Sequence, residues 1–259
     1  MGAGMSNTHS KAQAMVLAAG RGERMRPLTE HTPKPLLKVH NKALIEWTLQ
    51  ALQAQGYCDV LINTAWLGEQ IRETLGNTFS ASPLLAQAPL HLQYSCEDLD
   101  FGGALETAGG IVRALPFLSD PFWVVAADAY CPSFDFAPSF MTSLKASAQL
   151  GHIWLVDNPP HHPKGDFCRD SNGLAALPGD STLSERGPSL TFSTIGLYKH
   201  AFFKTYAQEI PFANPLGMKS ALGPILKNAI KNRALLASEF EGQWVDVGTP
   251  ERLALLNQV

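Results

Sequence analysis

Cysteine and long apolar runs are both scarce in this chain of 259 residues. The four cysteines are scattered and form no CxxC pair, so we expect reduced thiols and not a disulfide framework. No apolar run is long enough to span a bilayer, and the N-terminus lacks the apolar core of a signal peptide. These absences predict a cytoplasmic protein.

An excess of positive charge is lacking as well. The net charge is −3, from 20 basic and 23 acidic residues, which argues against nucleic acid as a main partner. A hydrophobic content of 45% with 17% charged residues is ordinary for a globular protein. Against this acidic background, four cationic residues stand close together between positions 21 and 34, namely Arg21, Arg24, Arg26 and Lys34.

Apolar periodicity predicts alternating strands and helices, which is typical of an α/β fold with a parallel sheet. We expect strands near residues 14–19, 58–63, 91–95, 121–127, 152–156, 190–198 and 244–247. We expect helices near residues 43–55, 67–75, 111–115, 136–148, 201–207 and 218–231, and a last helix capped by Thr249. Residues 158–172 are predicted to form a loop, and residues 1–11 a tag-like, disordered start. Residues 12–259 then form one domain with an inserted lobe near 150–215.

The first strand ends in a glycine-rich loop that favours an anion. Small residues allow a ligand to approach the backbone, and the nearby cations suggest that the anion is a phosphate. A P-loop is excluded because no Gly-Lys-Ser/Thr occurs, and a dinucleotide fingerprint lacks its third small residue at Met25. A strand-to-helix turn with solvated charges remains the plain alternative.

Two carboxylates follow apolar, strand-like runs, Asp128 after residues 121–127 and Asp246 within residues 244–247. Acidic residues at the carboxyl ends of strands lie where open α/β sheets bind ligands. Two carboxylates that meet a phosphate suit Mg²⁺, which takes a few oxygen ligands and keeps waters. A turn or helix-cap aspartate is the structural alternative for each of them.

Two further chemistries have weaker support. A zinc cluster could use His161, His162, Asp166 and Cys168, but these lie in one Pro-rich loop without a closing pair elsewhere. A serine hydrolase would need a Gly-x-Ser-x-Gly elbow, and the chain contains none.

The full string at residues 17–36 is more specific than its glycines. It reads Leu-Ala-Ala-Gly-x-Gly-x-Arg-Met-x-Pro-Leu-Thr, followed by Pro-Lys-Pro-Leu, and resembles the signature of the sugar-1-phosphate nucleotidyltransferases. The segments 62–68, 105–111, 156–167 and 244–249 extend the resemblance to nearly the whole chain. The chain is therefore identified as a member of that family.

This resemblance implies a mixed, mostly parallel sheet flanked by helices, a Rossmann-like nucleotidyltransferase fold with a sugar-binding insertion. The implied reaction joins an NTP to a sugar 1-phosphate and releases pyrophosphate, with Mg²⁺ as cofactor. UTP and N-acetylmuramate 1-phosphate are the expected pair, giving UDP-N-acetylmuramate in cell-wall recycling. A monomer or weak homodimer is expected, with neither nucleic acid nor membrane as partner.

The resemblance also implies residue roles. Lys34 would reach the α-phosphate and the sugar phosphate, and Arg24 would hold the leaving pyrophosphate. The other implied sites are for nucleotide Ala18, Ala19, Gly20, Gly22, Glu97 and Thr107, for sugar Gly165, Asp166 and Thr194, and for metal Asp128 and Asp246.

Three departures from the family pattern affect these roles. The stretch 98–104 looks longer than usual, which weakens Glu97 as a base reader; Ala127 replaces a common glycine; and the segment after the sugar loop lacks Glu-Lys-Pro. Guanylyl, cytidylyl or thymidylyl transfer to another sugar 1-phosphate remains an alternative. A catalytically inactive protein that senses nucleotide sugars is an alternative of another class.

Overall fold

The computed structural model describes residues 10–81, 87–179 and 187–258. Within these ranges the strands are β1 (Ala12–Ala18), β2 (Lys38–Val39), β3 (Lys42–Ala43), β4 (Asp59–Thr64), β5 (Thr78–Phe79), β6 (Leu90–Cys96), β7 (Leu118–Ala126), β8 (Ala129–Tyr130), β9 (Gly151–Val156), β10 (Cys168–Arg169), β11 (Ala175–Ala176), β12 (Thr191–Tyr198), β13 (Leu235–Glu239) and β14 (Val245–Asp246).

The helices flank these strands in chain order. They are α1 (Leu44–Ala54), α2 (Gly68–Leu75), α3 (Glu97–Phe101), α4 (Glu106–Ala114), α5 (Pro138–Ala146), α6 (His200–Tyr206), α7 (Leu222–Lys231) and α8 (Pro250–Leu256). Short 3-10 turns occupy Glu23–Met25, Leu28–Glu30, Lys34–Leu36 and Leu115–Phe117. Among the described residues, no helix is both long enough and apolar enough to cross a membrane.

The main sheet of the described chain has the strand order β13-β9-β12-β7-β1-β4-β6-β5. The central strand β1 pairs in parallel with β4 and with β7, and β4 pairs in parallel with β6. Strand β12 runs antiparallel to both β7 and β9, and β5 is antiparallel to β6. The prediction of a mixed, mostly parallel sheet flanked by helices is confirmed.

Helices cover both faces of the sheet, and the apolar side chains of β1 therefore alternate between two cores. Met15 packs in one core with α4, α6 and α7, whereas Val16 packs in the other with α1, α2 and α5. A strand buried on both faces reads as a continuous apolar run, which is what residues 14–19 present. Both side chains are fully buried.

Most predicted elements lie within a few residues of their observed positions. Thr249 caps α8 as predicted, because its hydroxyl accepts from the backbone N–H of Arg252. Leu222 opens α7, and Pro224 lies in the first turn, where a missing N–H is tolerated. This helix was predicted to begin at residue 218, four residues before its observed start at Leu222.

The segment 97–115 differs most from its prediction. Residues 97–101 form a short helix, and α4 begins at Glu106 instead of near residue 111. The start of α4 was predicted too late because Gly109 and Gly110 lie within this helix, and glycine is a poor helix former. A Cβ on Gly109 would lie 2.5 Å from the carbonyl oxygen of Met218, so close packing explains that glycine. The edge strand β13 was not predicted.

Of the two segments predicted to be irregular, the chain start is described only from Ser10, whereas the loop 158–172 is described in full. Residues 1–9 of the predicted disordered start lie outside the described ranges, while the carbonyl of Ser10 accepts from the Gln93 side chain at 3.1 Å. The predicted loop 158–172 contains strand β10, and Phe167 forms a β-bridge with Leu190. This bridge ties the loop to the start of β12.

His152 on β9 is held in a neutral state by its surroundings. Its ring stacks on Trp154 with centroids 4.2 Å apart, and its Nε2 lies 2.8 Å from the Ser238 hydroxyl. Burial, with a smaller contribution from the charge of Arg169, lowers the pKa of His152 to about 4. Protonation in the folded protein would place a cation between aromatic rings and β13.

We predict that His152 makes the stability of the fold depend on pH. The folded pKa lies below the unfolded value, so the stabilisation is complete above about pH 6.5 and is lost as the pH falls toward 4. Denaturant unfolding should show the wild type losing about 3 kcal/mol more than His152→Gln between pH 7 and pH 4. Parallel stability curves for the two proteins would contradict this.

Candidate active site

A cavity of about 1060 Å³ opens at the carboxyl ends of β1, β4 and β7. Parallel strands end at one edge of the sheet, and the loops that follow them meet there. Every residue given a site role from the sequence lines this cavity except Glu97 and Asp246; those that do are Ala18, Ala19, Gly20, Gly22, Arg24, Lys34, Thr107, Asp128, Gly165, Asp166 and Thr194.

The loop after β1 folds tightly around Gly22. This residue has φ 62°, in the left-handed region that glycine adopts without strain. Its carbonyl accepts from the backbone N–H of Met25 at 2.8 Å and from the Thr29 hydroxyl at 2.8 Å. A Cβ at this position would lie 2.9 Å from the methyl group of Thr29. The turn therefore brings the loop and its cations over the cavity.

Lys34 and Asp128 form an ion pair inside the cavity. The distance from Nζ to the carboxylate Oδ2 is 2.5 Å. The Lys34 side chain is 9% exposed and that of Asp128 is 37% exposed, so the carboxylate is the more accessible member of the pair. Lys34 opens the 3-10 turn Lys34–Leu36, in which both Lys34 and Pro35 are buried. This ammonium can reach an anion that enters beside Asp128.

Asp246 lies on the strand next to Asp128 and is held by another cation. The backbone N–H of Val247 donates to the Asp128 carbonyl at 3.1 Å, which fixes the two acidic residues side by side. Arg252 of α8 donates from Nη1 to the Asp246 carboxylate at 2.8 Å and to its carbonyl at 2.9 Å. The same Nη1 lies 2.9 Å from the ring of His161 in the loop before β10.

The donor set of this edge fits a hard divalent cation. Mg²⁺ is the cofactor that the sequence resemblance implies. Carboxylate oxygens are the ligands that Mg²⁺ takes in proteins, and one or two of them suffice when phosphates and waters complete the shell. The backbones of Asp128 and Asp246 are adjacent, and each carboxylate already binds a cationic group.

The candidate zinc ligands do not converge on a common point. His162 pairs with Asp166 at 3.1 Å, and His161 instead faces Arg252. In the described ranges no three His, Cys, Asp or Glu side chains are arranged to hold a metal ion.

Glu97 lies behind the cavity wall, although the sequence suggested that it could contact the base. Its side chain is buried, and its oxygens accept from Asn63 at 2.7 Å and from the backbone N–H of Leu105 at 2.8 Å. Burial raises the pKa of Glu97, and these two hydrogen bonds partly oppose that effect. Asn63, which the sequence analysis missed, lines the cavity in front of it. A polar residue within a buried strand was the available signal.

A further wall of the cavity comes from the loop before β10 and from β12. Asp166 accepts from the Phe192 N–H at 2.9 Å, which holds the loop against β12. The register of β12 against β9 shifts between Phe192 and Gly196, and Thr194 adopts φ 64° within this irregularity. A β-branched residue in the left-handed region is rare, and such strain concentrates at functional sites. The irregularity directs Thr194 to the cavity.

Comparison with known proteins gives this cavity a family. The sequence profile of the nucleotidyl transferase family matches residues 13–167. The chain belongs to the nucleotidyl transferase family. This span covers the loop after β1, Lys34 and Asp128, and it ends just after Asp166.

Individual relatives place the chain in the sugar-1-phosphate branch of the nucleotidyl transferases. It is 40% identical over 245 residues to N-acetylmuramate alpha-1-phosphate uridylyltransferase of Neisseria meningitidis, spanning 93% of this chain and 95% of that protein. A protein of the same name from Caulobacter vibrioides is 28% identical, with 92% of each chain covered.

Solved structures agree on the fold of this nucleotidyl transferase. A Bacillus anthracis protein assigned as a glucose-1-phosphate thymidylyltransferase, solved with sucrose, superposes with a TM-score of 0.72. It is 20% identical and covers 95% of this chain and 94% of its own. At this identity the likeness concerns the fold alone.

We predict that alanine substitution changes protein stability very differently at the two glycines of the loop after β1. Gly22→Ala should destabilise the protein by about 1–3 kcal/mol, because its φ is positive and its new Cβ would meet Thr29. Gly20→Ala is the matched control, since no atom lies within 4 Å of a Cβ there. Its free energy of unfolding should stay within about 0.5 kcal/mol of the wild type, or rise slightly. Equal effects in urea unfolding would refute this account of the loop.

Proposed function

We propose that this protein transfers uridylyl from UTP to N-acetylmuramate 1-phosphate, giving UDP-N-acetylmuramate and pyrophosphate. The 40% identity to the Neisseria meningitidis enzyme over nearly the full length of both chains carries this proposal. The cavity at the carboxyl ends of β1, β4 and β7 supports it, because its volume of about 1060 Å³ can accommodate a nucleotide together with a sugar phosphate. We infer that residues 12–259 act as one nucleotidyltransferase domain with a sugar-binding lobe near 150–215.

The chemistry follows from the charges that line the cavity. A phosphate oxygen of the sugar phosphate attacks the α-phosphorus of UTP in line, and the bond from that phosphorus to the pyrophosphate oxygen breaks. The nucleophile is already an anion, so no strong general base is required. Positioning and charge neutralisation by Lys34 and Arg24 therefore account for most of the rate.

Each wall of the cavity has a part in this proposal. The backbone of residues 18–20 holds base and ribose, with Thr107 on the opposite side, and the turn at Gly22 wraps the triphosphate. Gly165, Asp166 and Thr194 meet the sugar.

Lys34 and Asp128 change partners when the phosphates enter. The Lys34 ammonium moves its charge from Asp128 to the α-phosphate and sugar phosphate, and Arg24 stabilises the leaving pyrophosphate. Asp128 and Asp246 would hold Mg²⁺, which when bound neutralises phosphate charge. Arg252 keeps Asp246 in place.

The setting of the reaction follows from its substrates. UTP is a cytoplasmic nucleotide, so we place the reaction in the cytoplasm, and its product belongs to cell-wall recycling. We propose a monomer or weak homodimer as the working unit.

A substrate panel tests the proposed function. Pyrophosphate release should be measured with Mg²⁺ for four NTPs against N-acetylmuramate, glucose and mannose 1-phosphates. The highest kcat/KM is expected for UTP with N-acetylmuramate 1-phosphate. Preference for another pair would replace the substrates but keep nucleotidyl transfer. Binding of nucleotide sugar without pyrophosphate release would instead favour an inactive sensor.

We predict that Asp128→Ala lowers turnover by about 10³-fold or more, because it removes a metal ligand and the partner of Lys34. The melting temperature should show that the variant remains folded. Asp135→Ala is the matched control, since this aspartate is exposed and lies outside the lining of the cavity. A folded Asp128→Ala protein with near-normal turnover would contradict the role of Asp128.

A further inference from the structure

A buried chain of hydrogen bonds joins the two walls of the nucleotide end of the cavity. The backbone N–H of Ala18 donates to Asn63 Oδ1 at 2.9 Å. Asn63 Nδ2 donates to Glu97 Oε1 at 2.7 Å, and the N–H of Leu105 donates to Glu97 Oε2 at 2.8 Å. The chain thus connects the ends of β1, β4 and β6 with the turn that opens α4.

Both ends of this chain are backbone donors, which cannot be reversed. The two side chains between them must therefore accept at each outer end and form one donor–acceptor pair in the middle. An amide at position 63 and a carboxylate at position 97 meet this requirement, because a carboxylate accepts at both oxygens. Two amides would leave one donor facing another in every orientation.

We propose that Glu97 is a positioning residue that sets nucleotide affinity by holding Asn63 and Leu105, and that it does not touch the base. The inference deepens the proposed function and rests on it for the identity of the nucleotide. Glu97 lies at the same cavity, but behind the residues that line it.

The space around Glu97 supports an indirect role. Its side chain is 1% exposed and is not part of the cavity lining, whereas Asn63, 3% exposed, is part of it. Gly110 of α4 lies directly against the carboxylate, since a Cβ there would lie 2.5 Å from Oε1. A base in the cavity would meet Asn63 first.

The residues fixed by Glu97 continue directly into the cavity lining. Ala18 leads into Ala19 and Gly20, and Leu105 stands between the lining residues Ala104 and Glu106. Glu106 has φ 60°, a strained conformation for a residue with a Cβ, so the turn needs firm anchors. Its anchors are the N–H of Leu105, bonded to Glu97, and the carbonyl of Leu105, which accepts from Ser220 at 3.1 Å.

The charge of Glu97 is unfavourable for the fold itself. Burial raises its pKa, the charge of Asp98 adds to this effect, and Asn63, Leu105 and Arg113 oppose it. A buried carboxylate without a direct cationic contact costs more desolvation than an amide would. The directional requirement of the hydrogen-bond chain explains why a carboxylate is nevertheless suited to this position.

An exchange of the two side-chain types tests the proposal. Glu97→Gln and Asn63→Asp should each weaken UTP binding about tenfold or more, because each leaves two like groups facing one another. The double variant Asn63→Asp/Glu97→Gln again supplies acceptors to both backbone donors. It should recover UTP affinity to within about threefold of the wild type. Calorimetric titration gives the Kd, and thermal melting shows that each variant is folded.

Asp100→Asn is the matched control, because it makes the same change on α3 at an exposed surface pair with Arg113. Its Kd for UTP should equal that of the wild type. Unchanged affinity in Glu97→Gln, or a double variant as weak as the weaker single variant, would overturn the proposal. If the wild type binds another NTP better, the proposed function is corrected and the same cycle is run with that nucleotide, so the two failures are distinguishable.

Discussion

The parallel pairing of β1 with both β4 and β7 is the constraint from which the site follows. The register sets Ala18 beside Thr64 and Leu17 beside Ala126, so three chain segments leave the sheet at one edge. The loop after β1, Asn63 and Asp128 are neighbours for this reason. Burial on both faces of the sheet keeps β1 in place, because a shift of register would move its apolar side chains out of both cores.

Charge balance is the second constraint at this edge. Lys34 pairs with Asp128 and Arg252 pairs with Asp246, so each carboxylate has a counterion. These two cations allow acidic residues with adjacent backbones to lie at one edge of the sheet, since neighbouring like charges would otherwise repel.

Local patterns predicted the outline of the fold well. Continuous apolar runs marked the strands that are buried on both faces, and Thr249-Pro250 marked the start of α8. The helix in segment 97–115 was placed wrongly because Gly109 and Gly110 allow close packing within α4 and do not mark a loop. Gly109 faces the carbonyl of Met218, and Gly110 faces Glu97, contacts that a local pattern does not reveal.

The sequence by itself determined the local features of the site. These are a glycine-rich loop with nearby cations, a lysine between prolines and two acidic residues after apolar runs. Which groups face the ligand was decided only by the tertiary structure. Glu97 is placed behind Asn63, and Arg252 against Asp246, because strand register and helix packing set those contacts. Spacing along the chain records which residues are close in sequence, whereas a hydrogen bond depends on direction and distance in three dimensions.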